Sequence, residues 1–598
     1  MRRPAIMLRL IAIMLSSVTP IVGATSAVAQ EPAVTQEPTA ESQGHALTPL
    51  DVARIRSVGE VALRPNGAAI AYTLSVPRQV GSEANGPAWV ELHMVGFDGS
   101  GDRPFVAGEV NVSHLRWTPD GRHLSYLARR EGDEQRALYV IPADVGESLR
   151  VYQHETNIEA FDWRRDERAV AFVASEPSSP ELDELGDEGF DMEVYEEDWR
   201  QRRLYVLELP EGPDGPVGEA RALDLPGHPY DVFWSPDGGR LLTDLAPTPL
   251  TDDRYMARRL HVVDATTGEV MLRIENPGKL GAFRWSPDGR TIAFISGADI
   301  HDPREGRLMV VPAGGGDLRD ILPDLQGHVV SFAFVADDRI VYLADVGVGS
   351  RVGRVRTDGR DAEVLYEGSE PVLFDLSVDV RGRRAALAGE TPTRPRSVFA
   401  LALERRAELV RLTDPNPWLS EVRLGRQEIV RWEARDGLEI EGLLIHPLER
   451  AETERVPLVV VAHGGPESHY RNGWLTGYNT VGQMAAGRGY AVFYPNYRGS
   501  TGRGVAFSKA DQGDGVGAEF EDVLDGIDYL IERGLADGDR VGMTGGSYGG
   551  YFTGWAATRY SERFAAAVML YGVTNQLSKT GTSDIPMELE LVHWLTNP

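Results

Sequence analysis

Two patterns of apolar and polar positions divide this chain. From about Val61 to about Leu412 short runs of period two recur, each bounded by turn residues, as exposed-and-buried strands require. Seven of these runs lead into a recurring mark. The clearest copies are Leu115-Arg116-Trp117-Thr118-Pro119-Asp120-Gly121, Val232-Phe233-Trp234-Ser235-Pro236-Asp237-Gly238 and Phe283-Arg284-Trp285-Ser286-Pro287-Asp288-Gly289. Weaker copies begin at Val61, Phe161, Phe332 and Leu376, so the spacing is 44 to 71 residues. In each strong copy Pro presets φ and Gly supplies the positive φ of a tight turn. A returning strand follows, such as Thr291-Ile292-Ala293-Phe294-Ile295. A hairpin-based sheet cannot bury both faces alone, so units of this period stack around an axis. The expected architecture is a β-propeller of about seven blades over residues 49–412. Six or eight blades, or an array of β-sandwiches, are the alternatives.

Beyond Leu412 the period changes. Strands are expected at Glu428 to Trp432 and Leu438 to His446, around Asp436-Gly437. Pro457 to Ala462 is a continuous apolar run, the mark of a strand covered on both faces. Then come a helix near Val481 to Arg488, a strand at Tyr490 to Tyr494, a helix at Glu519 to Arg533 and a strand at Arg540 to Met543. A further strand is expected at Phe564 to Leu570. Strands alternating with helices predict a second domain, residues 413–598, built on a largely parallel sheet.

Within that domain Gly545-Gly546-Ser547-Tyr548-Gly549-Gly550 fits G-x-S-x-G between a strand and a helix, the setting of a nucleophile elbow. The turn is too tight for side chains two residues either side of Ser547, which accounts for Gly545 and Gly549. A serine hydroxyl needs a histidine base and an acid to become a good nucleophile. His463-Gly464-Gly465-Pro466 follows the Pro457 to Ala462 run, where an α/β-hydrolase carries its oxyanion loop. The backbone N–H groups of Gly465 and Tyr548 are the expected oxyanion donors. His463 is expected to orient this loop, not to act as the base.

The blade marks, Asp436-Gly437-Leu438-Glu439-Ile440-Glu441-Gly442, His463-Gly464-Gly465-Pro466, Asn496-Tyr497-Arg498-Gly499-Ser500 and the Ser547 elbow together resemble the prolyl oligopeptidase family of serine peptidases. The likeness is nearest its dipeptidyl aminopeptidase and acylaminoacyl peptidase branches. The resemblance implies an α/β-hydrolase domain capped by the propeller, so that short peptides are the substrates. It also implies an acid and a histidine in loops beyond Phe564 to Leu570, and nothing here matches those loops. His593 is the one histidine after Ser547, but Glu588 to Trp594 reads as a helix, and Asp584 is no better placed as the acid. The expectation is therefore a hydrolase domain incomplete at its C-terminus. A catalytically dead binding protein and an esterase are the competing functions.

An acidic insert lies at the widest interval between marks. Glu181 to Asp198 holds ten acidic residues and no basic one. Its Glu196-Glu197 pair is a candidate for holding the free amine of a peptide, as the resemblance to dipeptidyl peptidases implies; a solvated acidic face is the plainer reading.

Composition narrows the partners. The formal charge of −29 excludes a phosphate backbone as the natural ligand. No metal-ligand cluster or nucleotide loop is evident, so no cofactor is expected. Arg2-Arg3, the apolar Ile6 to Leu15 and Ala27-Val28-Ala29 read as a cleaved export signal over residues 1–29. Residues 30–48, rich in Glu, Pro, Thr, Ser and Gln, are expected to be a disordered tether. The product would be periplasmic or secreted, with no membrane span after cleavage. It contains no cysteine, and a chain of 598 residues can build its cores without disulfides.

Overall fold

Each repeated mark closes the first strand of a four-stranded antiparallel sheet in the computed structural model, which describes residues 44–594 apart from 191, 193, 198 and 211–217. The expected export signal and most of the tether lie outside the described residues. Seven such sheets follow one another, opening with Ser57–Leu63, Ser113–Trp117, Ile158–Trp163, His228–Trp234, Leu280–Trp285, His328–Ala336 and Val372–Val378. They are the seven blades of the expected propeller.

The residues of the mark do three jobs. Gly121, Gly238 and Gly289 take φ of +68°, +73° and +69°, values a side chain disfavours. The hydroxyls of Thr118, Ser235 and Ser286 donate to the aspartates two residues on, at 2.8, 2.6 and 2.7 Å, and so hold the turn. The tryptophans reach the preceding blade: Trp117 donates to the Ala62 carbonyl at 2.9 Å, Trp163 to the Ser125 hydroxyl at 2.9 Å and Trp285 to the Phe233 carbonyl at 3.2 Å. A large apolar ring with one polar handle suits a joint between sheets.

Every blade uses four consecutive strands, so the ring closes without exchanging a strand. Blade seven is tied to blade one by side chains. Asp375 accepts from the Val61 N–H and Ser377 from the Leu63 N–H, both at 2.9 Å. Val58, Val61 and Leu63 pack with Ala386, Ala388 and Val398 in one buried cluster.

The second domain carries a six-stranded sheet. Its strands are β1 (Gln427–Glu433), β2 (Glu439–Ile445), β3 (Val456–Ala462), β4 (Ala491–Asn496), β5 (Ala536–Gly546) and β6 (Ala566–Leu570), in the order β1-β2-β4-β3-β5-β6. β3 runs parallel to β4 and β5, and β5 parallel to β6, whereas β1 and β2 form an antiparallel hairpin that joins β4 antiparallel. The long helix Ala518–Glu532 buries Phe520, Val523, Leu524, Ile527 and Leu530 against this sheet, a one-sided helical period.

One boundary needs correction. The expected tether extends to residue 48, but His45–Ala46 pairs in parallel with Val422–Arg423, and Leu47 packs with Val52, Leu419 and Val422. Thr48 forms a capping box with Asp51. Gly44 to Val52 therefore belongs with the start of the second domain, and the first blade strand begins at Ser57. Composition favoured disorder here because Leu419 and Val422, apolar partners of Leu47, lie some 370 residues away along the chain.

The two domains meet through polar contacts and through Val348 of the propeller, which packs with Leu443, Ile445 and Val492 of the second domain. The Gly347 N–H donates to the Gly502 carbonyl at 2.7 Å, and the Gly502 N–H to His328 Nδ1 at 2.9 Å. Lys509 meets Asp299 at 2.7 Å.

Beneath the sheet's loop end, Asp522 is fully buried and accepts from the Arg498 backbone N–H, Nε and Nη2 at 2.9, 3.0 and 2.7 Å. Its carbonyl also accepts from the Trp432 indole at 2.9 Å. Removing one partner of a buried ion pair strands the other charge, which costs about 3–5 kcal/mol. Asp522→Ala should lower the unfolding free energy in urea by about that much. A loss under about 1 kcal/mol, the range of an exposed pair, would show that this junction does not brace the domain.

Candidate active site

The elbow is built from backbone contacts. Ser547 follows β5 directly and caps the helix Tyr548–Thr558, with φ +57° and ψ −118°. A non-glycine residue in that region is strained, and it stays there only when its surroundings hold it. Here four glycines let the surroundings close in. A Cβ on Gly549 would lie 2.2 Å from the Ala462 carbonyl oxygen, and one on Gly545 would lie 2.6 Å from the same oxygen. One on Gly550 would meet Gly572 Cα at 2.5 Å, and one on Gly546 the Tyr571 ring at 2.5 Å. The Ser547 N–H is spent on the Leu570 carbonyl of β6 at 3.2 Å. The serine side chain itself is exposed.

The His463-Gly464-Gly465-Pro466 loop leaves β3 beside this elbow. A Cβ on Gly464 would lie 3.3 Å from Ser547 Cβ and 3.8 Å from its Oγ, so the loop and the serine touch. Gly465 has φ +119° and would set a Cβ 2.4 Å from the Glu467 nitrogen; only glycine fits. Tyr548 is the first residue of its helix, where a backbone N–H has no partner within the helix.

His463 is turned away from Ser547. Its ring stacks on Tyr497 with centroids 4.3 Å apart, Nε2 pairs with the Ser500 hydroxyl at 2.9 Å and Nδ1 with the Gly464 carbonyl at 2.9 Å. Burial pushes its pKa down to about 4, so the ring is neutral and Nδ1–H donates to the loop it steadies. The Tyr497 hydroxyl donates to the His463 carbonyl at 2.8 Å. Asn496-Tyr497-Arg498-Gly499-Ser500 thus serves as a clamp on the glycine loop and, through Arg498, on the domain.

Two residues past Gly465, Glu467 faces the propeller. Its Oε1 lies 3.8 Å from Lys279 Nζ and 3.6 Å from His593 Nε2. Lys279 lies immediately before the first strand of blade five, and it also pairs with Glu588 and donates to the Pro303 carbonyl at 2.8 Å. A cavity of about 310 Å³, lined among others by Arg254, Arg258, Lys279, Arg304 and Glu467, occupies this part of the seam.

His593 lies in the helical segment Leu589–Trp594, as expected, and its contact is with Glu467. Among the described residues no imidazole hydrogen-bonds to Ser547 Oγ. Asp584 uses its carbonyl to accept from the Tyr195 hydroxyl at 3.1 Å. Glu196 and Glu197 sit on the exposed turn beside Tyr195, so the acidic insert touches the second domain through that tyrosine. Sequence reading missed Glu519, which is fully buried and accepts from the Tyr548 hydroxyl at 2.9 Å. No motif marks it, because it reads as the first turn of an amphipathic helix.

Three comparisons bear on this arrangement. Residues 477–598 match the model of the prolyl oligopeptidase family. A Bacillus subtilis protein described as an uncharacterized peptidase, YuxL, is 27% identical over 90% of this chain and 84% of its own length. Dipeptidyl-peptidase 5 of Porphyromonas gingivalis is 24% identical over 92% of this chain and 82% of its own. Among solved structures, the Pyrococcus horikoshii acylaminoacyl peptidase superposes with a TM-score of 0.73 over 92% of this chain and 83% of that one, at 21% identity. The seven blades, the α/β-hydrolase sheet, the elbow and the His-Gly-Gly-Pro loop agree with these matches: residues 477–598 match the prolyl oligopeptidase family, and along most of its length the chain is similar to peptidases.

Proposed function

We propose that this protein hydrolyses short peptides through an acyl-enzyme formed on Ser547. The observation that carries the reading is the contact of the glycine loop with the elbow, Gly464 against Ser547, which supports taking the serine as nucleophile and the neighbouring backbone N–H groups as its donors. In the first step Ser547 Oγ attacks the scissile carbonyl carbon and gives its proton to a histidine base, which the family resemblance expects from a later loop. The carbonyl oxygen becomes an oxyanion and accepts from the Gly465 and Tyr548 N–H groups. Donors fixed in advance stabilise that charge without reorganising, and each one is worth about 10²–10³ in rate. Collapse breaks the C–N bond, the proton passes to the leaving amine, and water then hydrolyses the ester. The Lys279–Glu467 contact supports restricted access, since it brings a propeller side chain to the oxyanion loop. The relatives named above support peptides as the substrate class. The residue 1–29 pattern supports an exported protein, periplasmic or secreted.

In protein expressed from the complete gene, Ser547→Ala should abolish fluorophosphonate labelling and lower turnover of short peptides by about 10³-fold or more. Unchanged turnover would exclude Ser547 as the nucleophile.

Glu196 and Glu197 are proposed to hold the free α-amine of the substrate. The Tyr195 hydroxyl, bonded to the Asp584 carbonyl, supports this by tethering their turn to the second domain. Glu197→Gln should reduce cleavage of free-amino peptides about tenfold or more while sparing N-acetylated ones, because losing a charge-assisted bond costs about 1.5–3 kcal/mol. Equal losses on both substrates would assign the pair to a solvated surface.

A further inference from the structure

Beneath the elbow lies a buried acid that the reaction scheme does not use. Glu519 opens the helix Ala518–Glu532 and has no exposed surface. Both of its donors converge on one oxygen. Oε1 accepts from the Tyr548 hydroxyl at 2.9 Å and from the Val516 N–H, whereas Oε2 is enclosed without a partner. An ionised oxygen left so would carry a full desolvation penalty. A carboxylic acid protonated on Oε2 would not. Val516 also has φ +53°, an outlier for a β-branched residue, and its N–H bond to Glu519 is what holds it there.

The neighbours make the same demand. Asp511 is buried and packs against Gly499, where a Cβ would lie 2.4 Å from its carboxyl carbon. The charged or titratable groups acting on the pair are Asp514 from the preceding loop, Tyr548 and Tyr551 from the elbow helix, Tyr497 from the loop after β4 and Glu467 from the oxyanion loop. Among the described residues no lysine or arginine hydrogen-bonds to either carboxyl. Burial raises Glu519 to about 7, and burial with the Glu519 charge raises Asp511 to about 8.

We propose that Glu519 is a positioning residue: by holding the Tyr548 hydroxyl it fixes the first turn of the elbow helix and aims the Tyr548 N–H at the oxyanion. This rests on the reading of Ser547 as nucleophile. The ring of Tyr548 is the lever and its backbone N–H the working end. Glu519 grips the lever from a helix that never reaches the substrate, so its loss should act on the chemical step and not on binding.

The test uses protein from the complete gene carrying Glu519→Ala, Glu519→Gln, Tyr548→Phe and the Glu519→Ala/Tyr548→Phe pair. Glu519→Ala and Tyr548→Phe should each slow fluorophosphonate labelling of Ser547 and lower kcat by about 10- to 100-fold, with KM within about twofold. The double variant should be no worse than the poorer single one, as expected of two halves of one contact. Glu519→Gln keeps an acceptor for both donors and should recover most of the loss. A second readout needs no turnover. Because the folded-state pKa of Glu519 is raised, the stability it contributes is complete below about 4.5 and is lost as pH rises through about 7. The melting temperature of the wild type should therefore fall across that window more steeply than that of Glu519→Gln. Additive losses, or labelling of Glu519→Ala as fast as wild type, would overturn the clamp while leaving Ser547 as nucleophile. A wild type that never labels would overturn the nucleophile reading and, with it, the role given to Glu519.

Discussion

A carbonyl oxygen decides the geometry of this site. The Ala462 oxygen, at the end of β3, lies where Cβ atoms on both Gly545 and Gly549 would be, at 2.6 and 2.2 Å. Any larger residue at either position would push the elbow off the strand beside it. With the glycines in place, the chain can turn through Ser547 at φ +57° and begin a helix at once. The strain at that one residue is held by the close backbone contacts of β3, β5 and β6 around it, and the serine stays exposed.

The same strand ends supply the remaining parts. β3 delivers the glycine loop, β4 delivers the Tyr497 and Ser500 clamp on His463, and β5 delivers the serine. Ligand sites of open α/β sheets lie at the carboxyl ends of the strands, and this sheet follows that rule. The propeller then meets the loop side through ion pairs, Lys279 with Glu467 and Glu588 and Lys509 with Asp299, and through a neutral His328 that accepts from the Gly502 N–H.

Much of this was legible in the residues. The seven marks each lie at the end of the first strand of a blade, and in the three strong copies the Pro-Asp-Gly turn and aromatic strand end are local demands that the fold has no reason to override. The elbow and its loop were legible for the same reason: Gly545, Gly549 and Gly465 answer close approaches that no other residue permits. Gly44 to Val52 was misread because Leu47 finds Leu419 and Val422 only after the second domain has begun. Glu519 was invisible because a buried acid beginning a helix looks like an ordinary N-terminal acid, favourable to the helix dipole. Its meaning comes from Tyr548, 29 positions later. The Lys279–Glu467 contact joins positions 188 residues apart in sequence, and no periodicity announces such a pair.

The central claim is that Ser547 attacks and that the Gly465 and Tyr548 N–H groups receive the charge. A crystal structure of the phosphonylated protein tests it directly, because the phosphonyl oxygen occupies the place of the oxyanion. The account predicts phosphorus bonded to Ser547 Oγ and that oxygen within about 3 Å of both backbone nitrogens. Phosphorus on another residue, or an oxygen turned to solvent away from both N–H groups, would contradict it.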